Sequence, residues 1–294
     1  MAKRNIHGWL VIDKPEGVTS TQVVGRARWA LEAKKAGHAG TLDPLATGLV
    51  AVAFGEATKT VPHAMDGLKT YDFTIRLGQR TSTDDREGEV IASSDARPDD
   101  AAIEAVLGRF RGDIEQIPPV FSAVKVAGER AYDLARAGEI PELAARPLHV
   151  AELELVERPD ADHARFRLVC GKGGYVRSIA RDIGIALGCE AHVATLRRTA
   201  AGPFTLEQAV PHDIVESFRE KPAPLLPVEA GLVGLPEIRV DAGRAAQLRH
   251  GQEIPVPTTG YDEPAWISEN GEPVAMGKVR GGKFRPERVF VFAE

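Results

Sequence analysis

One aspartate in a loop punctuated by glycine and proline is the strongest candidate for chemistry in this 294-residue chain. Asp43 stands within Gly37-His38-Ala39-Gly40-Thr41-Leu42-Asp43-Pro44-Leu45-Ala46-Thr47-Gly48, which contains no second acid and follows Lys34 and Lys35. Glycine opens backbone conformations closed to other residues. Pro44 fixes its own φ and turns Asp43 away from the helical region. A loop so constrained can hold one carboxylate in one orientation, and loops on a rigid scaffold carry much of protein function. A structural role competes, because Asp-Pro is a common turn starter. From the loop alone, Asp43 as a turn cap outweighs Asp43 as a catalyst.

Other chemical motifs are few. Gly171-Lys172-Gly173-Gly174 precedes an amphipathic stretch and resembles a helix start that offers free N–H groups to phosphate. It lacks the GxxxxGK[ST] spacing of a P-loop, which excludes an NTPase of that kind. Cys170 and Cys189 are too far apart for a CxxC pair and have no local His or Cys set, so both are expected to be structural. A reduced cytoplasmic protein without metal is the expectation. No apolar run approaches the roughly 20 residues of a membrane helix, and no hydrophobic segment follows Lys3 and Arg4, so neither membrane attachment nor a signal peptide is expected.

The net charge of −5 argues against a nucleic-acid partner, but its distribution does not. Residues 1–60 hold eight Lys/Arg against five Asp/Glu, and residues 161–200 hold seven against three. Residues 82–119 reverse the balance, with ten acids against four bases. Near the C-terminus Lys278, Arg280, Lys283, Arg285 and Arg288 face only Glu287. Segregated blocks suggest a polarised molecule whose basic face can attract phosphate, although solvated charged faces are commoner.

Alternation and punctuation place the motifs on elements. Gly8–Asp13 reads as a strand, and a helix capped by Thr19 or Ser20 runs to about Ala33. Leu49–Phe54 and Tyr71–Leu77 read as strands, with a helix near Ala57–Met65 between them. Thr83–Glu89 reads as a solvated acidic turn. Asp99–Phe110 has helix character that Gly112–Pro119 breaks. Residues 120–147 form a strand-and-helix excursion, followed by strands near Leu148–Val156 and Ala164–Cys170 and a helix over Tyr175–Leu187. Proline density beyond Arg198 (Pro211, Pro222, Pro224, Pro227, Pro236) marks a linker. The tail from Glu237 has a helical patch at Ala242–Leu248 and strand fragments at Trp266-Ile267 and Val289–Phe292. The fold class expected is α/β of the α+β type, with a small β-rich unit appended.

Several segments taken together carry further. They are Ile12-Asp13-Lys14-Pro15-Glu16-Gly17, the loop Gly37–Gly48, Gly55-Glu56-Ala57-Thr58-Lys59, Tyr71, Arg76–Thr81, Phe110–Pro118 and Lys172-Gly173-Gly174-Tyr175-Val176-Arg177-Ser178-Ile179. In this order and spacing they resemble the bacterial TruB-type tRNA pseudouridine synthases, which isomerise uridine 55 in the TΨC arm of tRNA. The resemblance runs from about Gly8 to Phe204 and continues more weakly into the tail. Ala39 and Gly174 depart from it, standing where the family often has Thr.

The resemblance implies a mixed, mainly antiparallel central sheet with flanking helices over residues 1–230, and a PUA-like RNA-binding unit over 237–294. It implies that Asp43 is the catalytic aspartate, that Tyr71 stacks on the target base and is a candidate for proton transfer, and that Arg177 pairs with Asp43. His38, Tyr175 and Leu196 would line the RNA cleft, Lys14 and Pro15 would support the site from beneath, and residues 120–147 would grip RNA. The partner implied is the tRNA T-arm, met by a monomer with no obligate protein partner, no cofactor and no metal. Pseudouridine formation breaks the N1–C1′ bond, rotates the uracil and rejoins it through C5, which requires neither redox change nor group donor. Glycoside hydrolases use two carboxylates; one suffices here in principle, because the leaving base is retained. Rival readings are a tRNA-folding protein without catalysis and a guide-RNA-dependent relative.

Overall fold

The computed structural model describes residues 3–126, 128–139, 141–257 and 263–292. Its main sheet is built from β1 (Gly8–Lys14), β2 (Ala36–His38), β3 (Thr47–Phe54), β4 (Lys69–Leu77), β5 (Gly112–Gln116), β6 (Arg146–Asp160), β7 (His163–Cys170), β8 (Ala191–Ala201) and β9 (Val210–Pro211). The spatial order is β9-β1-β3-β8-β4-β7-β6-β5, with β2 paired to β3 and Phe204–Thr205 folded back on β8. Neighbours are antiparallel except β1 with β9 and β3 with β8, so the sheet is mixed and mainly antiparallel as expected.

Both faces of the sheet are covered. Leu10 and Ile12 of β1 and Val50 and Val52 of β3 belong to one apolar cluster with helices α1 (Ser20–Ala30), α2 (Asp100–Leu107) and α3 (Val176–Ala186). The alternate residues Trp9, Val11, Leu49, Ala51 and Ala53 face Phe204, Val228, Leu232 and Trp266 on the other side. Period-two alternation sends successive side chains to opposite faces, so these strands are apolar at nearly every position.

The two halves of the sheet meet where β3 lies parallel to β8, with Thr47 opposite Arg197 and Gly48 opposite Arg198. Gly48 has φ +104°, and a Cβ there would lie 2.2 Å from the Arg198 carbonyl oxygen. Only glycine fits where the Asp43 loop enters β3.

Several elements differ from the sequence reading. No strand was expected at β8, yet it lies at the centre of the sheet. Thr195, Arg197, Arg198 and Thr199 interrupt its apolar alternation, and register shifts at Val193/Thr195 and Arg198/Ala200 put the remainder out of phase. Gly112–Gln116, expected only to break a helix, is an edge strand on β6. The proline-rich stretch is no free linker: Val215 is fully buried in the α1 core, and Val228 and Leu232 pack on the Trp9 side. The acidic turn is only partly solvated: Asp84 and Asp85 are buried, while Arg86, Glu87 and Glu89 are exposed.

The tail forms a five-stranded sheet of Glu237–Arg239, Ile254–Pro255, Pro264–Glu269, Glu272–Arg280 and Lys283–Val289, with a helix at Ala242–Arg249. Of the fragment Val289–Phe292 only Val289 is in a strand; Phe290 is buried in the cluster that holds Trp9 and Trp266. Lys59 Nζ donates to the Val289 carbonyl at 2.7 Å, and the Val291 N–H donates to Glu56 Oε2 at 2.7 Å. Within residues 120–147 a hairpin of Lys125–Val126 and Glu129–Arg130 leads to a short helix, Ala131–Arg136. Ala127 and Ile140 lie outside the described residues. No helix among the described residues is long and apolar enough to cross a membrane.

Candidate active site

The Asp43 loop is fastened at its backbone. Thr19 caps α1 in a capping box with Gln22, which sets Ser20 under the loop. The Ser20 hydroxyl accepts from the Leu42 N–H at 2.8 Å and donates to the Leu42 carbonyl at 3.1 Å. Lys14, fully buried, donates to the carbonyls of Pro15 at 2.9 Å and Pro44 at 3.1 Å, and the Gly17 N–H donates to Pro44 as well. Arg198, also buried, donates to Leu49 O at 2.9 Å, Thr41 O at 3.1 Å and Gly40 O at 3.2 Å. The turn itself closes through the Asp43 carbonyl, which accepts from the Ala46 N–H. Among the described residues the Asp43 carboxylate takes no backbone N–H, so capping is not what it does.

That carboxylate lies 2.9 Å from Arg177 Nε, an ion pair whose N–H is not aligned as a hydrogen bond. Arg177 is buried, while Asp43 is one-third exposed at 33%. The guanidinium also donates to Thr83 O at 3.1 Å and Phe121 O at 3.0 Å and sits 3.6 Å from the Asp85 carboxylate. One arginine thus ties together the Asp43 loop, the acidic turn and the root of the 120–147 excursion. Its own position is set from the start of α3. The Tyr175 N–H donates to Gln116 Oε1 at 2.9 Å, Gln116 Nε2 donates to Tyr175 O at 3.1 Å, and the Ser178 hydroxyl donates to Ile117 O at 2.8 Å. On the next helical turn Arg181 pairs with buried Asp84 at 3.0 Å.

Tyr71, on β4, lies opposite Arg198 of β8, whose charge acts on its phenol. Burial pushes the phenol above its ordinary value, and the Arg198 charge pulls it back. His38 is half-buried on β2; burial and then Arg198 hold its imidazole below the ordinary range, and its Nδ1 has no hydrogen-bond partner among the described residues. Leu196 packs in the same cluster as Tyr71, while Tyr175 packs on Val124, Ala131 and Leu143. Pro15 is exposed, and its carbonyl takes the Lys14 amine. Both cysteines are free and buried, and burial pushes the Cys170 thiol up to about 12. A Cβ at Gly174 would meet Cys170 Sγ at 2.7 Å, so sulfur fills that space here.

The structure therefore joins Asp43, Arg177, Lys14, Pro15, Tyr71 and His38 around one loop. Sequence reasoning missed Asp85, Gln116 and Ser20, and took Arg198 only as part of a basic block. Among the described residues no group of three or more His, Cys, Asp or Glu side chains is placed to hold a metal ion.

Lys14 gives a pH signature. Burial lowers its amine from 10.5 to about 8, against the attraction of Asp43. The unfolded amine binds a proton below about 10.5, so below pH 8 the folded state carries the full cost of the buried charge, about 3 kcal/mol. That cost fades and stability rises as pH climbs from 8 to 10.5. Lys14→Met is expected to lose this rise, as urea midpoints at pH 7 and pH 10 will show. An identical rise in both proteins would contradict the assignment.

Comparison with known proteins covers the whole of this arrangement. Residues 28–176 match the model of the TruB family pseudouridylate synthase N-terminal domain, and residues 177–233 match that of the tRNA pseudouridylate synthase B C-terminal domain. The tRNA pseudouridine synthase B of Cereibacter sphaeroides is 58% identical over 98% of this chain and 97% of its own. That of Rhodospirillum rubrum is 48% identical over 97% and 96%. Among solved structures, an H/ACA ribonucleoprotein bound to a substrate RNA containing 2′-deoxyuridine aligns at TM-score 0.74 and 26% identity, covering 97% of this chain and 85% of that one. A Cbf5-Nop10-Gar1 complex aligns at 0.74 and 28%, with the same coverage. Since the matched spans contain the Asp43 loop, Tyr71 and Arg177 alike, the likeness extends through the site, and the chain belongs to the TruB family of pseudouridylate synthases.

Proposed function

We propose that this enzyme isomerises uridine 55 in the T-arm of tRNA to pseudouridine, with Asp43 as its one catalytic carboxylate. The observation that carries the reading is the Asp43–Arg177 pair in a loop tied down at nearly every turn, where the carboxylate stays part-exposed and its partner is buried. A part-exposed carboxylate that caps no turn is free to act at the sugar–base bond of a bound uridine. The family's tRNA pseudouridine synthases at 48–58% identity support the same activity.

The target base is stacked in a folded loop and must be extruded, which costs a few kcal/mol. Stacking on Tyr71 and contacts along the cleft from His38, Tyr175 and Leu196 offset it. Recognition reads loop shape and splayed bases more than duplex sequence. The 120–147 excursion grips the arm, and the 237–294 unit, with Lys283, Arg285 and Arg288, binds RNA beside the 1–230 catalytic region. The enzyme works as a cytoplasmic monomer, without cofactor.

Tritium release from a T-arm hairpin carrying [5-³H]uridine tests the reading with purified protein and no added metal or guide. Release is expected. Binding without release would move the assignment to a folding-only RNA binder, and release only with an added guide RNA to a guide-dependent enzyme. Affinity for tRNA is also expected to fall at least about tenfold between 50 and 200 mM KCl, because phosphate contacts release counterions. An affinity that ignores salt would contradict the basic-face reading.

A further inference from the structure

Away from the Asp43 loop, the carboxyl end of α1 carries a groove that the reaction does not use. Gly25, Arg28, Trp29, Glu32, Ala33, Arg219 and Lys3 line it, and its volume is about 490 Å³. Trp29 is 53% exposed, and the Arg219 guanidinium lies over its ring, 4.4 Å from the centroid. Glu32 holds Arg219 in place at 3.3 Å. Arg28 is fixed along the rim by donating to Ala33 O at 3.3 Å and Lys34 O at 3.1 Å. The N-terminal segment is pinned beside it, with the Arg4 N–H donating to Glu32 O and the Lys34 N–H to Arg4 O. Among the lining residues, Lys3, Arg28 and Arg219 thus face one acid, Glu32.

Gly25 lies one helical turn before Trp29, on the same face. A glycine inside a helix costs about 1 kcal/mol against alanine, and here a Cβ would meet nothing within 4 Å. Packing does not require it, and its effect is to leave the floor of the groove open beside the indole.

We propose that this groove binds an unpaired nucleotide of RNA, its base stacked along Trp29 and its phosphate met by the basic rim. Aromatic platforms inside a positive groove are the usual means of holding single-stranded nucleic acid, and an arginine over the ring strengthens them. The groove lies about 15 Å along α1 from Ser20 and the Asp43 loop, so its occupant is RNA outside the flipped nucleotide. The proposal rests on the preceding reading only for its view that the polymer is RNA.

The test is direct because the chain has three tryptophans, and Trp9 and Trp266 are buried. Hexaadenylate is expected to quench Trp29 fluorescence in the wild type and not in Gly25→Leu, which fills the groove and suits a helix. Full-length tRNA should bind Gly25→Leu and Trp29→Leu at least about fivefold more weakly, a loss typical of one stacked base. Tritium release from a T-arm hairpin should be unchanged in both variants, which separates this site from catalysis. No quenching by hexaadenylate, or tRNA affinity equal to wild type in Trp29→Leu, would overturn the proposal. A protein-docking face would give that same pair of results. Absence of tritium release from the wild type would count against the proposed function and leave the groove's binding test standing.

Discussion

Asp43→Asn is expected to abolish isomerisation while leaving the protein folded. Asparagine has the same shape, so the loop contacts made through backbone carbonyls, to Lys14, Ser20 and Arg198, all survive. What disappears is the charge. Arg177 then keeps Asp85 at 3.6 Å and its two carbonyl acceptors, so no buried cation is left without a partner. The stability loss should stay within about 1–2 kcal/mol, the scale of one weakened charged contact. Loss of the only catalytic carboxylate should cost at least about 10⁴-fold in turnover, as removal of an essential catalytic side chain does elsewhere. Arg177→Ala provides the contrast. It leaves two carboxylates without their shared cation, one of them buried and held, among the described residues, only by Thr83 and the Glu87 N–H. It should cost on the order of 3–5 kcal/mol as well as activity. Thermal melts beside single-turnover tritium release separate the two patterns. Asp43→Asn with measurable turnover would remove the aspartate from the chemistry, and Arg177→Ala with normal melting and turnover would remove the ion pair from any role.

How much of this could be read from the sequence depended on how local the cause was. Pro44 fixes the backbone at its own position and Gly48 permits a positive φ at its own, so the shape of the Asp43 loop is visible in the residue order. The α3 helix shows its apolar face through Val176, Ile179, Ala180 and Ile183. Asp85 is different. In the chain it is one of a run of acids, and such runs are usually solvated. It is buried because α3, some ninety residues later, brings Arg177 and Arg181 against it and Asp84. Strand β8 failed for a related reason. Its arginines point to partners inside the sheet, which breaks the alternation that marks a half-buried strand. The docked 211–236 segment was hidden because prolines announce a break in regular structure and say nothing about whether the chain packs. The family resemblance supplied Arg177 as a partner for Asp43, but no motif named the group that holds the loop from behind.

Arg198 is that group, and Arg198→Lys is expected to fold yet lose most of its turnover. The guanidinium reaches Leu49 O, Thr41 O and Gly40 O at once, and its charge acts on the Tyr71 phenol opposite it. It therefore sets the carbonyls just ahead of Asp43 and lies on the strand position opposite the residue proposed to stack on the base. A planar fork with five N–H donors can span these acceptors; a lysine amine is a single point charge and cannot. Lysine preserves the cation, so the attraction that pulls the Tyr71 phenol back toward its ordinary value persists. What it loses is the geometry. A displacement of about 1 Å at a reacting group costs on the order of 100-fold in rate, so kcat should fall by about that factor while KM changes little. Buried carbonyls left without donors cost about 1–3 kcal/mol each, enough to lower the melting point clearly but within the margin of a typical domain. Arg198→Met removes the charge too and should be the less stable of the pair. The decisive comparison is kcat for Arg198→Lys under conditions where circular dichroism shows the variant folded. Turnover at the wild-type rate would mean that Ser20 and Lys14 suffice to hold the loop, and that Arg198 serves the sheet alone.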